Sequence, residues 1–188
     1  GFDQVELIIL THIHLDHAGG GSSLMELCKN AQLIVHKKGA RHMANPEKLV
    51  AGAKEVYGEE AFRSLYGVIS SIDEARIMSP DEGEVIAMGD REFLFMDSPG
   101  HANHHHCILD KETNSVFTGD TLGISYQALR DPDHAFVMPT TTPVQFNPEA
   151  LHQSIDKIMS LNPEYLYYTH YSAVKPNAQN IAGLHEQI

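Results

Sequence analysis

Cysteine is scarce in this 188-residue chain: Cys28 and Cys107 are the only two, and they lie far apart. That pattern supplies neither a disulfide framework nor a CxxC metal knuckle, and a reducing, cytoplasmic setting is the expectation. Basic residues are also few. Thirteen Lys and Arg face 25 Asp and Glu, a formal net charge of −12, which repels a phosphate backbone and argues against a nucleic-acid partner. No run approaches the roughly 18 apolar residues that span a bilayer, and no basic segment followed by an apolar one opens the chain, so no membrane partner is expected. The first residue is Gly1 and not Met, so the sequence is expected to start partway through a longer product. No internal repeat, low-complexity tract or linker divides it.

What is present is a composition for one globular domain, with 42% hydrophobic residues, enough for one sizeable core. Thirteen histidines raise the prospect of metal binding or proton transfer before any motif is read. Residues 5–10 and "QLIVH" (32–36) have the apolar, β-branched character of buried strands, and "SSLMELCKN" between them is expected to be a helix capped by Ser22 or Ser23. A helical insertion is predicted over about 37–66, with a fresh start at Asn45-Pro46 and weak points at Gly52 and Gly58. "RIMSP", "EVIAM", "EFLFMDS", "HHCILD" and "SVFTGD" then read as the short strands of a meander. Residues 121–147, with Pro132, Pro139 and Pro143, read as a long loop. A helix from Asn147-Pro148, a strand "EYLYYTH" and a helix over 177–188 close the chain.

The chemistry concentrates in "THIHLDHAGG". On an extended segment His12 and His14 face the same side and can reach one ion. Asp16 and His17 follow where the chain turns into a glycine corner and can serve a neighbouring ion. Chance matches to HxHxDH are on the order of one per cent or less in such a composition. His101 follows a Pro-Gly turn, Asp120 ends "FTGD" and His170 ends "YYTH". Each terminates a predicted strand, as a shared site on a rigid scaffold requires. Alone, Asp120 reads as a turn aspartate, while His101 as a turn histidine and His170 as a core histidine are the alternatives to a site role.

The ordered set "THIHLDHAGG", "SPGHANHH", "VFTGD" and "YLYYTH" resembles the metallo-β-lactamase superfamily over about residues 6–171. The resemblance implies an α+β fold, an αββα four-layer sandwich. It implies one metal held by His12, His14 and His101, a second by Asp16, His17 and His170, and Asp120 bridging them. Two divalent ions are implied, zinc first, with iron or manganese as alternatives. The activity implied is hydrolysis of an ester, thioester or lactone-type carbonyl by water activated between the ions. Asp120 would hold the pair, and Asp16 would serve as ligand, water-orienting group or proton donor. Family members carry more strands before the first motif, so the N-terminal strands of the first sheet are expected to be missing. A homodimer covering the exposed edge is the alternative.

Absences weigh the subfamilies. Asp16, His17 and Asp120 together argue against true lactamases. Glyoxalase II-like thioesterases share the seven ligands but continue into a C-terminal helical segment. Quorum-quenching lactonases place a tyrosine where Gly123 stands. A mononuclear iron, persulfide-dioxygenase-like oxidoreductase and a non-catalytic metal-binding protein are the readings from other classes. His104, His105 and His106 are read as surface or ligand-supporting residues, and His36, His42, His134, His152 and His185 are assigned no role. Tyr126, Phe136, Met138 and Tyr171 are candidates for an apolar wall or for core packing, and a small-molecule substrate is expected. Lys37, Lys38 and Arg41 read as a solvated helix face or an anion contact.

Overall fold

The computed structural model describes residues 1–129, 135–142 and 144–188. Pro132, His134 and Pro143 lie outside the described residues. The chain divides into two compact units, Gly1–Pro80 and Asp81–Ile188, and each has its own sheet and its own core.

In the first unit, β1 (Leu7–Ile9), β2 (Gln32–Ile34) and β3 (Ile77–Met78) form a parallel sheet in that order. Leu7 pairs with Gln32, and Leu33 with Ile77. A parallel strand must return through a crossover. A one-turn helix α1 (Leu15–Ala18) and α2 (Gly21–Leu27) supply it between β1 and β2. The crossover to β3 carries α3 (Lys37–Ala44), α4 (Glu47–Tyr57) and α5 (Glu59–Tyr66), the helical insertion expected over 37–66. Leu33, Val35, Met25, Cys28, Met43 and Ile72 form the core, each large apolar side chain contributing about 1.5–3 kcal/mol by leaving water. Arg76 donates to the carbonyls of Met25, Cys28 and Ala31 at 3.0, 2.6 and 2.9 Å, tying the last turn of α2 to the stretch before β2.

Two local expectations change here. The cap of α2 is Gly20, and Ser22 lies within the helix with its hydroxyl accepting from the Ser70 N–H. "RIMSP" does not open the meander: Ile77 and Met78 extend the parallel sheet, because Leu33 offers a buried apolar neighbour on β2.

The second unit holds a six-stranded sheet in chain order: β4 (Val85–Met88), β5 (Arg91–Asp97), β6 (His106–Asp110), β7 (Ser115–Gly119), β8 (Tyr165–Tyr168) and β9 (Ser172–Val174). Pairing is antiparallel from β4 to β7, parallel between β7 and β8, and antiparallel again to β9. β5, β7 and β8 therefore all run in one direction. α6 (Pro148–Met159) covers one face with Leu151, Ile155 and Ile158, spaced four and three apart on one side of the helix. Asn147 caps it by accepting from the Ala150 N–H, and Pro148 occupies the first turn. α7 (Ala178–Gln187) adds Leu184 to the same core. The expected loop over 121–147 contains a 3-10 turn at Gln127–Leu129 and an antiparallel bridge from Ile124 to Met138. Among the described residues no helix is long and apolar enough to cross a membrane.

Candidate functional site

The first unit carries four of the sequence-predicted residues on the turn that leaves β1. His12 is fully buried, its ring centroid 4.6 Å from that of His14 and 4.0 Å from that of His17. Thr11 Oγ1 lies 3.1 Å from His12 Nδ1. β1 stops at Ile9, so His12 and His14 sit just beyond the strand. α1 then rotates Asp16 and His17 back toward the same rings, with His17 Nε2 and Asp16 Oδ2 3.3 Å apart. Burial lowers the pKa of His14; the Asp16 charge partly offsets this, and His17 adds to it. A neutral imidazole at pH 7 keeps the lone pair a metal needs. Tyr66, from the helical insertion, is pushed up to about 12 by burial, by its hydrogen bond with Tyr57 and by the Asp16 charge. Tyr66 thus lies close to this turn, since a Cβ on Gly19 would stand 3.2 Å from its Cδ1.

The second unit carries the other three. Because β5, β7 and β8 run the same way, their C-terminal ends emerge at one edge of the sheet. His101 follows β5, Asp120 follows β7 and His170 follows β8. Two glycine-dependent features aim the first two. Gly100 has φ +131°, and a Cβ there would lie 2.4 Å from the Leu151 Cα, so only glycine lets α6 approach the backbone before His101. In β7 the register slips between Phe117 and Gly119, leaving Thr118 bulged, and a bulge of this kind re-aims the residues that follow it. The Asp120 carboxylate ends between two imidazoles, with Oδ2 3.5 Å from His101 Nε2 and Oδ1 3.5 Å from His170 Nε2. His101 and Asp120 are 3% and 6% exposed at the side chain.

These distances allow a test of metal fit. Donors held at about 2.0–2.2 Å from a tetrahedral ion lie roughly 3.3–3.6 Å from each other. The Asp120 oxygens stand at that separation from both imidazole nitrogens, one oxygen to each. A carboxylate between two imidazoles is a donor set that could hold a metal ion, and the residues present fit one.

Supporting residues are partly new. His104, His105 and His106 are all buried, so the surface reading of that run is corrected: β6 begins at His106, and His104 and His105 lead into it from inside. The Asp120 N–H donates to His105 Nε2 at 3.0 Å, and His105 Nδ1 is 2.7 Å from Ser98 Oγ. In a neutral ring Nδ1 then carries the proton, with Ser98 Oγ the nearer acceptor and Thr121 Oγ1 a second at 3.3 Å. Thr140 was not singled out from the sequence; its hydroxyl lies 3.0 Å from His101 Nδ1 and donates to the Asp120 carbonyl at 3.2 Å. No sequence spacing signals that contact, which bridges a loop and two strand ends. Of the unassigned histidines, His36 caps α3 by accepting from the Lys38 N–H, and His152 and His185 face each other with Nδ1 atoms 2.6 Å apart. Lys37, Lys38 and Arg41 are exposed on α3. Tyr126 and Tyr171 are 38% and 63% exposed and stack with centroids 5.2 Å apart, and Phe136 is half-buried. Met138 is exposed too, so of these four candidates none is a fully buried core residue.

The profile of the family described as the metallo-beta-lactamase superfamily matches residues 3–170. The chain belongs to that superfamily. The metallo-beta-lactamase fold-containing protein ST1585 of Sulfurisphaera tokodaii is 26% identical over 178 residues, 93% of this chain and 63% of that protein. The solved structure of ST1585 superposes with a TM-score of 0.80 at 25% identity, over 98% of this chain and 68% of that one. The fold of this superfamily member is therefore the metallo-β-lactamase α+β fold. An acyl-coenzyme A thioesterase MBLAC2 from Gallus gallus is 28% identical over 122 residues, covering 62% of this chain and 41% of that protein. A hydroxyacylglutathione hydrolase from Francisella tularensis subsp. novicida is 25% identical over 119 residues, 63% of this chain and 34% of that one. The chain thus spans less than two thirds of the length of these curated relatives. Hydrolases stand among the relatives of this superfamily member, and its His and Asp donors could hold metal.

Proposed function

We propose that the protein is a metal-dependent hydrolase of carbonyl substrates, with thioesters first and esters or lactones next. The observation that carries this is the Asp120 carboxylate, with one oxygen toward His101 and the other toward His170 at 3.5 Å each. The proposed ligands are His12, His14 and His101 for one ion and Asp16, His17 and His170 for the other, with Asp120 between; combining the two sets rests on family membership. Thioesters lead because two relatives are named a coenzyme A thioesterase and a hydroxyacylglutathione hydrolase. When bound, divalent ions would lower the pKa of water and polarise a carbonyl oxygen. The chain's own contribution is placement. His105 holds the Asp120 backbone, and Gly100 sets the approach of His101. Asp16, the most exposed of the donors at 53% of its side chain, is the group able to exchange a proton with a leaving thiol or alcohol.

The test uses the full-length protein. Metal content measured by mass spectrometry and turnover on a panel of thioesters, esters and lactones should show bound divalent metal and hydrolysis. Asp120→Asn should lose on the order of 100-fold or more in activity, since even outer partners of metal ligands cost 10–100-fold. Full activity in that variant would overturn the dinuclear reading. Iron loading with oxygen consumption and no hydrolysis would replace it with redox chemistry.

A further inference from the structure

Resting on the metal-centre reading above, one hydrogen-bond constraint goes further. His101 Nδ1 lies 3.0 Å from Thr140 Oγ1 and 3.4 Å from the Thr140 carbonyl oxygen. A carbonyl only accepts, so Nδ1 is the nitrogen that carries the proton. The hydroxyl points the same way: its single proton goes to the Asp120 carbonyl at 3.2 Å, which leaves Oγ1 to accept from His101. In the neutral ring the lone pair then sits on Nε2, which faces Asp120 Oδ2 at 3.5 Å. A lone pair facing a carboxylate is repulsive unless a cation stands between them.

Thr140 is itself held. Ile124 and Met138 exchange backbone hydrogen bonds at 2.9 and 3.1 Å, and Gly123 (φ +78°) permits the approach, since a Cβ there would lie 1.9 Å from the Met138 oxygen. Two residues beyond, the Thr142 hydroxyl donates to the His101 carbonyl at 2.9 Å. The Thr11 hydroxyl lies 3.1 Å from His12 Nδ1, and that contact taken by itself allows it to donate or accept.

We propose that Thr140 is a positioning residue: its hydroxyl locks His101 in the Nδ1–H tautomer, presents Nε2 as the ligand nitrogen, and ties the His101 turn to the Asp120 turn. It touches neither substrate nor metal. Its effect passes entirely through His101 and the Asp120 backbone.

The experiment compares wild type with Thr140→Ser, which keeps the hydroxyl, and Thr140→Val, which removes it at nearly constant volume. Long-range proton–nitrogen correlation spectra of the metal-stripped full-length protein, recorded near pH 8.5 where an ordinary imidazole is neutral, report each ring's tautomer. A His101→Gln spectrum assigns the signal. Wild type and Thr140→Ser should show His101 protonated at Nδ1, and Thr140→Val should show a tautomer mixture. Zinc affinity by chelator competition should fall about 10–100-fold in Thr140→Val and recover in Thr140→Ser. An unchanged tautomer and affinity in Thr140→Val would overturn the proposal, as would a Thr140→Ser protein behaving like Thr140→Val. Circular dichroism separates either result from misfolding. Because the tautomer is read without metal, a wild type that shows the lock yet binds no zinc would sink the metal-centre reading and leave the lock standing.

Discussion

Cys107 shows how much of the second unit's chemistry is decided one side chain at a time. Its thiol is fully buried beside Ser98, Thr118 and Thr121, and burial pushes its pKa up to about 11. The thiolate is the reactive form. Both Cys107 and the buried Cys28 should resist an aromatic disulfide reagent at pH 8 and react together on unfolding; rapid labelling of Cys107 in the native protein would contradict the burial. The residues nearest the chemistry divide by how far apart they lie in sequence. His12, His14, Asp16 and His17 were legible as a group because they fall within six residues of one another, a crowding visible without knowledge of the helical turn. His105 was named only as one of three histidines with a surface or ligand-supporting role, and Thr140 was not named. The first was obscured by two neighbouring histidines, and the second acts across 39 residues, through a hydroxyl whose meaning depends on where a distant loop folds.

At the scale of elements, the short strands and capped helices followed from alternation, turn residues and Asn caps, and most expected elements are present. Missed among the α-helices and strands were α1, a single turn, and β9, three residues long. Neither supplies enough sequence for a period to appear. β3 was recognised as a strand and assigned to the wrong sheet, because two residues do not encode their neighbours. Two predictions belong here. Gly100→Ala places a methyl group into the Leu151 backbone at a φ of +131° and should cost about 3 kcal/mol or more in denaturant unfolding, with metal affinity falling alongside. Asp110 fastens the end of β6. Burial pushes its carboxyl upward, but hydrogen bonds from Thr113, Arg91 and the Glu112 N–H outweigh that and hold it below the usual value near 3.8. A carboxyl depressed in the folded state adds stability that is fully present above its unfolded pKa and fades as pH falls through the folded one. Unfolding free energy measured from pH 7 to 2 should therefore drop more steeply in wild type than in Asp110→Asn; parallel curves would remove Asp110 from the account.

For the whole molecule, two features stand out: two cores in one chain and a net charge of −12. A cation that binds the folded state and not the unfolded one stabilises it by mass action, about 4 kcal/mol at a thousand times the dissociation constant. For a chain of this size that corresponds to roughly 10 °C in Tm. Zinc titrated into metal-stripped protein should raise Tm by that order, and Asp120→Asn should blunt the rise. A Tm indifferent to chelator and zinc alike would count against any tight metal site. The shared direction of β5, β7 and β8 has a further consequence, one for engineering. His101, Asp120 and His170 hang from the ends of strands whose register is fixed by pairing along β5–β6 and β7–β8, while the peptide between Ser125 and Leu129 lies outside the named strands. On the proposed hydrolase reading, libraries randomised in that stretch should change substrate preference and leave metal uptake unchanged, which would make the second unit a chassis for directed evolution.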